Sequence, residues 1–124
     1  MDEPPLVAIV DDDASVRSST RRLIRSLGYR AEAFASGAEF LTSPVGSRTA
    51  CLVLDVRMPD MDGLEVQREI LARQLDIPVV FISGWASDAE ERRARAAGAV
   101  DFLRKPIATA TLIEVLRKIC ARGV

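Results

Sequence analysis

Short runs of consecutive apolar residues alternate along this chain with longer stretches in which apolar residues recur every three or four positions. The first run, Leu6 to Val10 (LVAIV), ends abruptly at Asp11, Asp12 and Asp13. Val16, Thr20, Leu23, Ile24 and Leu27 then follow helical spacing until Gly28 stops the pattern, which predicts a strand, an acidic turn and an amphipathic helix. A weaker strand is predicted from Tyr29 to Phe34. The spacing of Ser36 and Glu39 is that of a capping box, so a short helix should run to about Leu41 before SPVGSR breaks the pattern. Cys51 to Asp55 (CLVLD) is a continuous apolar strand that again ends in a carboxylate. After RMPDMDG, a helix is predicted from Leu64 to about Gln74, with Val66 and Ile70 facing inward. Pro78 to Ile82 forms a fourth strand and leads into Ser83 and Gly84. Ser87 and Glu90 make a second capping box, opening a helix over Asp88 to Ala97 with Gly98 as its stop. Val100 to Leu103 is the fifth strand and closes in Arg104, Lys105 and Pro106. The last helix places Leu112, Val115, Leu116, Ile119 and Cys120 on one face.

Strands that read as unbroken apolar runs are buried on both faces, and strand-helix alternation with right-handed crossovers covers both faces with helices. The pattern therefore predicts a doubly wound α/β domain, a five-stranded parallel sheet with five flanking helices, occupying residues 1–124 as one unit. In such sheets, groups at the carboxyl ends of the strands converge on one crevice. Here those groups are Asp11, Asp12, Asp55, Ser83 and Lys105.

Composition narrows the chemistry. With 17 Lys and Arg against 18 Asp and Glu, the net charge is −1, which gives no general attraction to nucleic acid or to an anionic membrane. The absence of His removes the commonest general base, the commonest metal ligand and every His-activated nucleophile. Cys51 and Cys120 suggest buried thiols, with neither a disulfide framework nor a CxxC site. The leading MDEPPL is acidic where a signal peptide is basic, and no apolar run approaches the roughly 20 residues that span a bilayer, so a cytoplasmic protein is expected. Three carboxylates gathered at one crevice repel one another unless a divalent cation neutralises them. An all-oxygen ligand set on short Asp stems suits Mg²⁺, which commonly bridges a carboxylate to a phosphoryl oxygen. Lys105 supplies a charge and Ser83 a donor for further phosphoryl oxygens, and Asp55 fits the role of nucleophile.

VDDD (Val10 to Asp13), LDVRMPDMDG (Leu54 to Gly63), ISG (Ile82 to Gly84) and DFLRKP (Asp101 to Pro106) together resemble the receiver domains of two-component response regulators, and GAVDF and RMPDMDG are most similar to the FixJ subfamily. The likeness covers essentially the whole chain. It implies a flavodoxin-like strand order 2-1-3-4-5, a signalling module that catalyses only its own phosphorylation and dephosphorylation, and Asp55 as phosphoacceptor. It further implies that Mg²⁺ is bound by Asp12, Asp55 and the Arg57 carbonyl, and by Asp11 through water. Ser83 becomes the switch hydroxyl, Lys105 the phosphate-sensing cation and Phe102 the aromatic whose rotamer reports the switch; the Lys105-Pro106 bond is implied to be cis. The implied partners are a histidine kinase and a C-terminal helix-turn-helix, DNA-binding effector that regulates transcription. Because the chain stops at Val124, it is read as a stand-alone receiver or as part of a longer regulator.

Competing roles follow from the same residues. A pseudo-receiver would be a pure interaction module, and a Mg²⁺-dependent phosphohydrolase would turn over an aspartyl-phosphate, but the chain shows no second acid placed as a base. Asp13 is expected to be only a helix cap. The stripes Arg17, Arg21, Arg25 and Arg92, Arg93, Arg95 read as solvated faces. The fourth helix offers its core nothing larger than Ala and should be mobile. Its arginines also replace much of the apolar surface that a phosphorylation-driven homodimer would use. Trp85 is expected to fill the space beside that small helix or to lie over the acidic crevice and limit water's access to it.

Overall fold

The apolar runs become one parallel sheet. A computed structural model describes residues 3–121, with strands β1 (Leu6–Val10), β2 (Arg30–Phe34), β3 (Thr49–Asp55), β4 (Val79–Ser83) and β5 (Asp101–Arg104). Their order is β2-β1-β3-β4-β5 and every pairing is parallel. Helices α1 (Ala14–Ser26), α2 (Gly37–Thr42), α3 (Gly63–Ala72), α4 (Asp88–Ala96) and α5 (Thr109–Ala121) connect the strands. From β1 the chain winds first to β2 and then back across to β3. The reversal of order therefore falls between β1 and β3, where the ends carrying Asp11 and Asp55 lie side by side.

Alternation along each strand divides the core into two layers. Leu6, Ala8, Val10, Leu52, Leu54 and Phe81 pack with residues of α2, α3 and α4, among them Phe40, Val66, Ile70 and Ala94. Val7, Ile9, Val53, Val80 and Ile82 pack with Ile24 of α1 and with Leu112, Leu116 and Ile119 of α5. Cys51 and Cys120 are buried and free on this second side.

Asp13 caps α1, its carboxylate accepting from the Ser15 and Val16 amides. Ser36 and Ser87 cap α2 and α4; Glu90 closes the predicted box at α4, but the predicted box at α2 is only half formed, because Glu39 accepts from the Ala35 amide at 3.4 Å and not from Ser36. Another box, Asp62 with Glu65, opens α3 one residue before the predicted start at Leu64. Most boundaries moved by one or two residues, β2 starting at Arg30 and β5 running Asp101–Arg104. SPVGSR ends in a 3₁₀ turn at Gly46–Arg48, with the Thr49 hydroxyl donating to the Val45 carbonyl at 2.9 Å, so β3 begins two residues before Cys51. β4 is shifted by one residue, to Val79–Ser83, and so includes Ser83. α3 stops at Ala72, short of Gln74, because Gln74 turns left-handed (φ 58°) and the Gln74 and Leu75 amides bond back to Leu71 and Ile70. Gly98 (φ 104°) ends α4 in the same way, but Gln74 carries no such signal in the sequence.

Candidate functional site

The acidic crevice is built by backbone before side chains enter. β1 ends at Val10, and the Asp11 amide donates to the Phe34 carbonyl of neighbouring β2 at 3.2 Å, which holds Asp11 at the sheet's edge. Asp55 is the last residue of β3, and Gly63 presses the first turn of α3 against it. A Cβ at position 63 would collide with the Asp55 carbonyl, so only glycine fits there. The Gly63 amide also donates to the Val56 carbonyl at 2.9 Å, closing the loop between β3 and α3 at its base.

One carboxylate oxygen from each of Asp11, Asp12 and Asp55 falls within a mutual 4.8 Å; Asp11 and Asp55 are buried and Asp12 is exposed. Lys105 reaches between two of them, its Nζ 3.3 Å from Asp11 Oδ2 and 3.5 Å from Asp55 Oδ2. Asp55 Oδ1 accepts from the Arg57 amide at 3.3 Å, and Asp11 Oδ1 from the Asp13 amide at 2.9 Å. Burial pushes the Asp55 carboxyl above the usual aspartate range; Lys105 opposes this and Asp11 adds to it. Burial also works against the Lys105 charge, but Asp55 and Asp11 outweigh it and hold the ammonium above its ordinary value. Three acids with one ammonium between them leave excess negative charge in a partly desolvated crevice, and a hard divalent cation suits such oxygen donors. A cavity of about 260 Å³ leads away from Asp11, Asp55 and Lys105 between α1 and the segment after β5, lined by Val16, Leu23 and Ile107. A larger one, about 580 Å³, lies at the opposite ends of β3 and β4, beside Thr49 and Pro78, far from these carboxylates.

Ser83 ends β4, is fully buried, and accepts the Trp85 amide on its hydroxyl at 3.3 Å. Its carbonyl accepts from the Lys105 amide at 2.9 Å, and the Lys105-Pro106 bond is cis. Phe102 is not at the crevice but buried on the α4 side, stacked on Phe81 (centroids 5.7 Å apart), with the Arg104 guanidinium 5.4 Å from its ring centroid.

Trp85 is 85% exposed, so the expectation that it fills space beside α4 is wrong. Only Ala94 of α4 is buried, as its composition predicts, but polar groups make up for the thin contact. Gln67 donates to the Ala94 carbonyl at 3.0 Å, and Arg104 reaches the Ala86 carbonyl at 2.6 Å and Glu91 at 2.9 Å. Arg92, Arg93 and Arg95 are all exposed, and Arg95 also pairs with Glu91 at 3.0 Å and Asp101 at 3.3 Å. Sequence reasoning also missed Glu90 as a partner of Arg57, at 2.7 Å across 33 residues. No spacing rule reaches over that separation.

The response regulator receiver domain profile matches residues 7–117. The chain belongs to this family. Receiver domains of response regulators are signalling modules. This receiver is 40% identical over 116 residues to the response regulator protein TmoT of Ectopseudomonas mendocina, covering 94% of the chain and 53% of TmoT. It is 41% identical over 111 residues to nodulation protein W of Bradyrhizobium diazoefficiens, covering 90% of the chain and 49% of that protein. The receiver thus spans about half the length of these curated relatives. Among solved structures, FixJ-N superposes with a TM-score of 0.87 at 32% identity, covering 100% of this chain and 98% of FixJ-N. Among the described residues no helix is long and apolar enough to cross a membrane.

Proposed function

We propose that this receiver takes a phosphoryl group from the phosphohistidine of a histidine kinase onto Asp55. An Asp55 carboxylate oxygen forms the new P–O bond as the P–N bond to the donor imidazole breaks, and the donor nitrogen keeps the electron pair. The observation that carries this reading is Lys105 seated between Asp11 and Asp55 with the Asp12 carboxylate beside them. Asp12, Asp55 and the Arg57 carbonyl would hold Mg²⁺, with Asp11 holding it through water. Bound there, the ion neutralises charge on the carboxylates and on an incoming phosphoryl group. Lys105 exchanges its carboxylate partners for a phosphoryl oxygen, and the Ser83 hydroxyl donates to another. Pulling Lys105 and Ser83 inward acts on adjacent Arg104 and on the loop entering α4, so Phe102 and the α4–β5 face carry the switch. Cytoplasmic operation beside a kinase and control of a DNA-binding effector complete the reading, supported by longer relatives such as the transcriptional regulatory protein TdiR of Thauera aromatica.

Incubation with acetyl phosphate and Mg²⁺, followed by intact mass measurement, tests it. The expected result is one phosphoryl adduct on the wild type and none on Asp55→Asn. That variant should stay folded, because it removes one of several crowded like charges. Labelling that survives in Asp55→Asn overturns the assignment. Consumption of acetyl phosphate without an adduct points to a phosphohydrolase, and neither adduct nor consumption to a pure interaction module.

A further inference from the structure

We infer that Glu90, on the first turn of α4, is a positioning residue for the acidic site: it anchors the Arg57 side chain and thereby steadies the backbone from Asp55 to Arg57. This rests on the reading above, in which the Arg57 carbonyl helps to hold Mg²⁺. The loop after β3 is tied at its base by the Gly63 amide on the Val56 carbonyl. Beyond that point Arg57, Pro59 and Asp60 are exposed, and the base tie does not itself reach Arg57. The second tie is the Arg57 guanidinium, which donates to Glu90 Oε1 at 2.7 Å and lies 3.5 Å from the Trp85 carbonyl.

Glu90 suits this task because it is itself fixed. The same Oε1 accepts the Ser87 amide at 2.9 Å, and the Glu90 amide donates to the Ser87 hydroxyl at 3.1 Å, so the capping box of α4 orients the carboxylate before Arg57 arrives. Its side chain is 16% exposed against 56% for Arg57, so the anchor is the more buried partner. At the other end, the Arg57 amide holds Asp55 Oδ1. A chain of contacts thus runs from the α4 cap through Glu90 and Arg57 to the carboxylate itself. Ser83 touches the same junction through the Trp85 amide.

Three variants test this. Glu90→Gln keeps a side chain able to cap α4 but removes the charge that holds Arg57; Arg57→Ala removes the guanidinium and keeps the backbone; Ser87→Ala loosens the cap and leaves the Arg57–Glu90 pair in place. The first readout is amide hydrogen exchange at residues 56–58 in metal-free protein. Exchange there should quicken most in Glu90→Gln and Arg57→Ala and clearly less in Ser87→Ala, which keeps the Ser87 amide on Glu90 Oε1. The second is the Mg²⁺ concentration giving half-maximal phosphorylation by acetyl phosphate. It should rise about two- to five-fold in Glu90→Gln and in Arg57→Ala, the range expected for a partly exposed ion pair, with no further rise when the two are combined. Unchanged exchange and midpoint in Glu90→Gln, or equal shifts in Ser87→Ala, overturn the inference while a labelled wild type leaves the phosphoacceptor reading standing. A wild type that gains no phosphoryl mass overturns both.

Discussion

Helices α4 and α5 cover opposite faces of the same sheet and are held there by different forces. α5 sets Leu112, Leu116 and Ile119 into the layer formed by Val7, Ile9, Val53 and Val80. α4 sets in Ala94 alone, and its remaining contacts are polar: Arg104 to Asp88 and Glu91, Arg95 to Asp101, Arg57 to Glu90, and the Gln67 amide to a helix carbonyl. A buried Leu or Ile contributes about 1.5–3 kcal/mol through the water it sheds, whereas an exposed ion pair contributes about 0–1 kcal/mol. α5 therefore contributes more to the domain's stability than α4 does, and α4 should loosen at lower cost than α5. The residues gripping α4 from outside are neighbours of the acidic crevice: Arg57 lies two positions after Asp55, and Arg104 lies next to Lys105. In the proposed function, a phosphoryl group at the carboxylates reaches α4 through charges already in contact with it.

Breaking the apolar side should have the largest effect. Leu116→Ala empties a fully buried position on α5 and should cost about 2–5 kcal/mol in denaturant unfolding, lowering the transition of the whole domain. A loss below that range would mean that α5 docks as lightly as α4. Arg104→Ala removes a guanidinium that spans Phe102, the Ala86 carbonyl, Asp88 and Glu91, yet it should cost the domain only about 1 kcal/mol or less. Its signature is local: faster amide exchange along α4, with α5 unchanged.

Acid should separate the two helices further. Hydrogen bonds from Arg104, then from Arg95, hold the Glu91 carboxyl below the usual glutamate range. A folded value below the unfolded one means that this stabilisation is complete above the unfolded pKa, about 4.3, and is lost as pH falls through the folded value. Amide exchange, corrected for its intrinsic pH dependence, should show α4 loosening across that window before α5 responds, and Glu91→Gln should remove much of the difference. The smallest expected signal is a null one. Burial, with a lesser contribution from Cys120, pushes the Cys51 thiol well above its ordinary value, and burial raises Cys120 on α5 as well. Both should resist alkylation at neutral pH, and rapid labelling of Cys120 would show that α5 opens as readily as α4.

The elements were legible because each carries its own periodicity and caps. The apolar runs marked five strands, and one of the two capping boxes, Ser87 with Glu90, and the glycine stop at Gly98 were visible in advance. The Asp62 cap is masked in the sequence because it lies inside RMPDMDG, where a proline and a glycine read as loop. Boundaries slipped where no local signal exists, as at Gln74, a non-glycine residue in a left-handed turn. Asp11, Asp12, Asp55, Ser83 and Lys105 could be gathered from the sequence because a parallel sheet brings all its strand ends to one edge. The exposure of Trp85 could not be read in the same way, since burial of a loop side chain depends on what packs against it.

The sequence by itself determined the α/β alternation, the two-faced burial of β1, β3 and β4 and the charges at the strand ends, because these follow from periodicity and residue type over a few neighbouring positions. Only the tertiary structure decided which charges meet. Arg57 with Glu90 and Arg104 with Glu91 are separated by 33 and 13 residues, and no spacing rule selects them from the other acids and bases of the chain. Burial of an apolar face is non-directional and largely indifferent to which apolar partner supplies it, so pattern alone fixes it. An ion pair needs two particular groups within a few ångströms, and that distance exists only once the sheet has set its strand order.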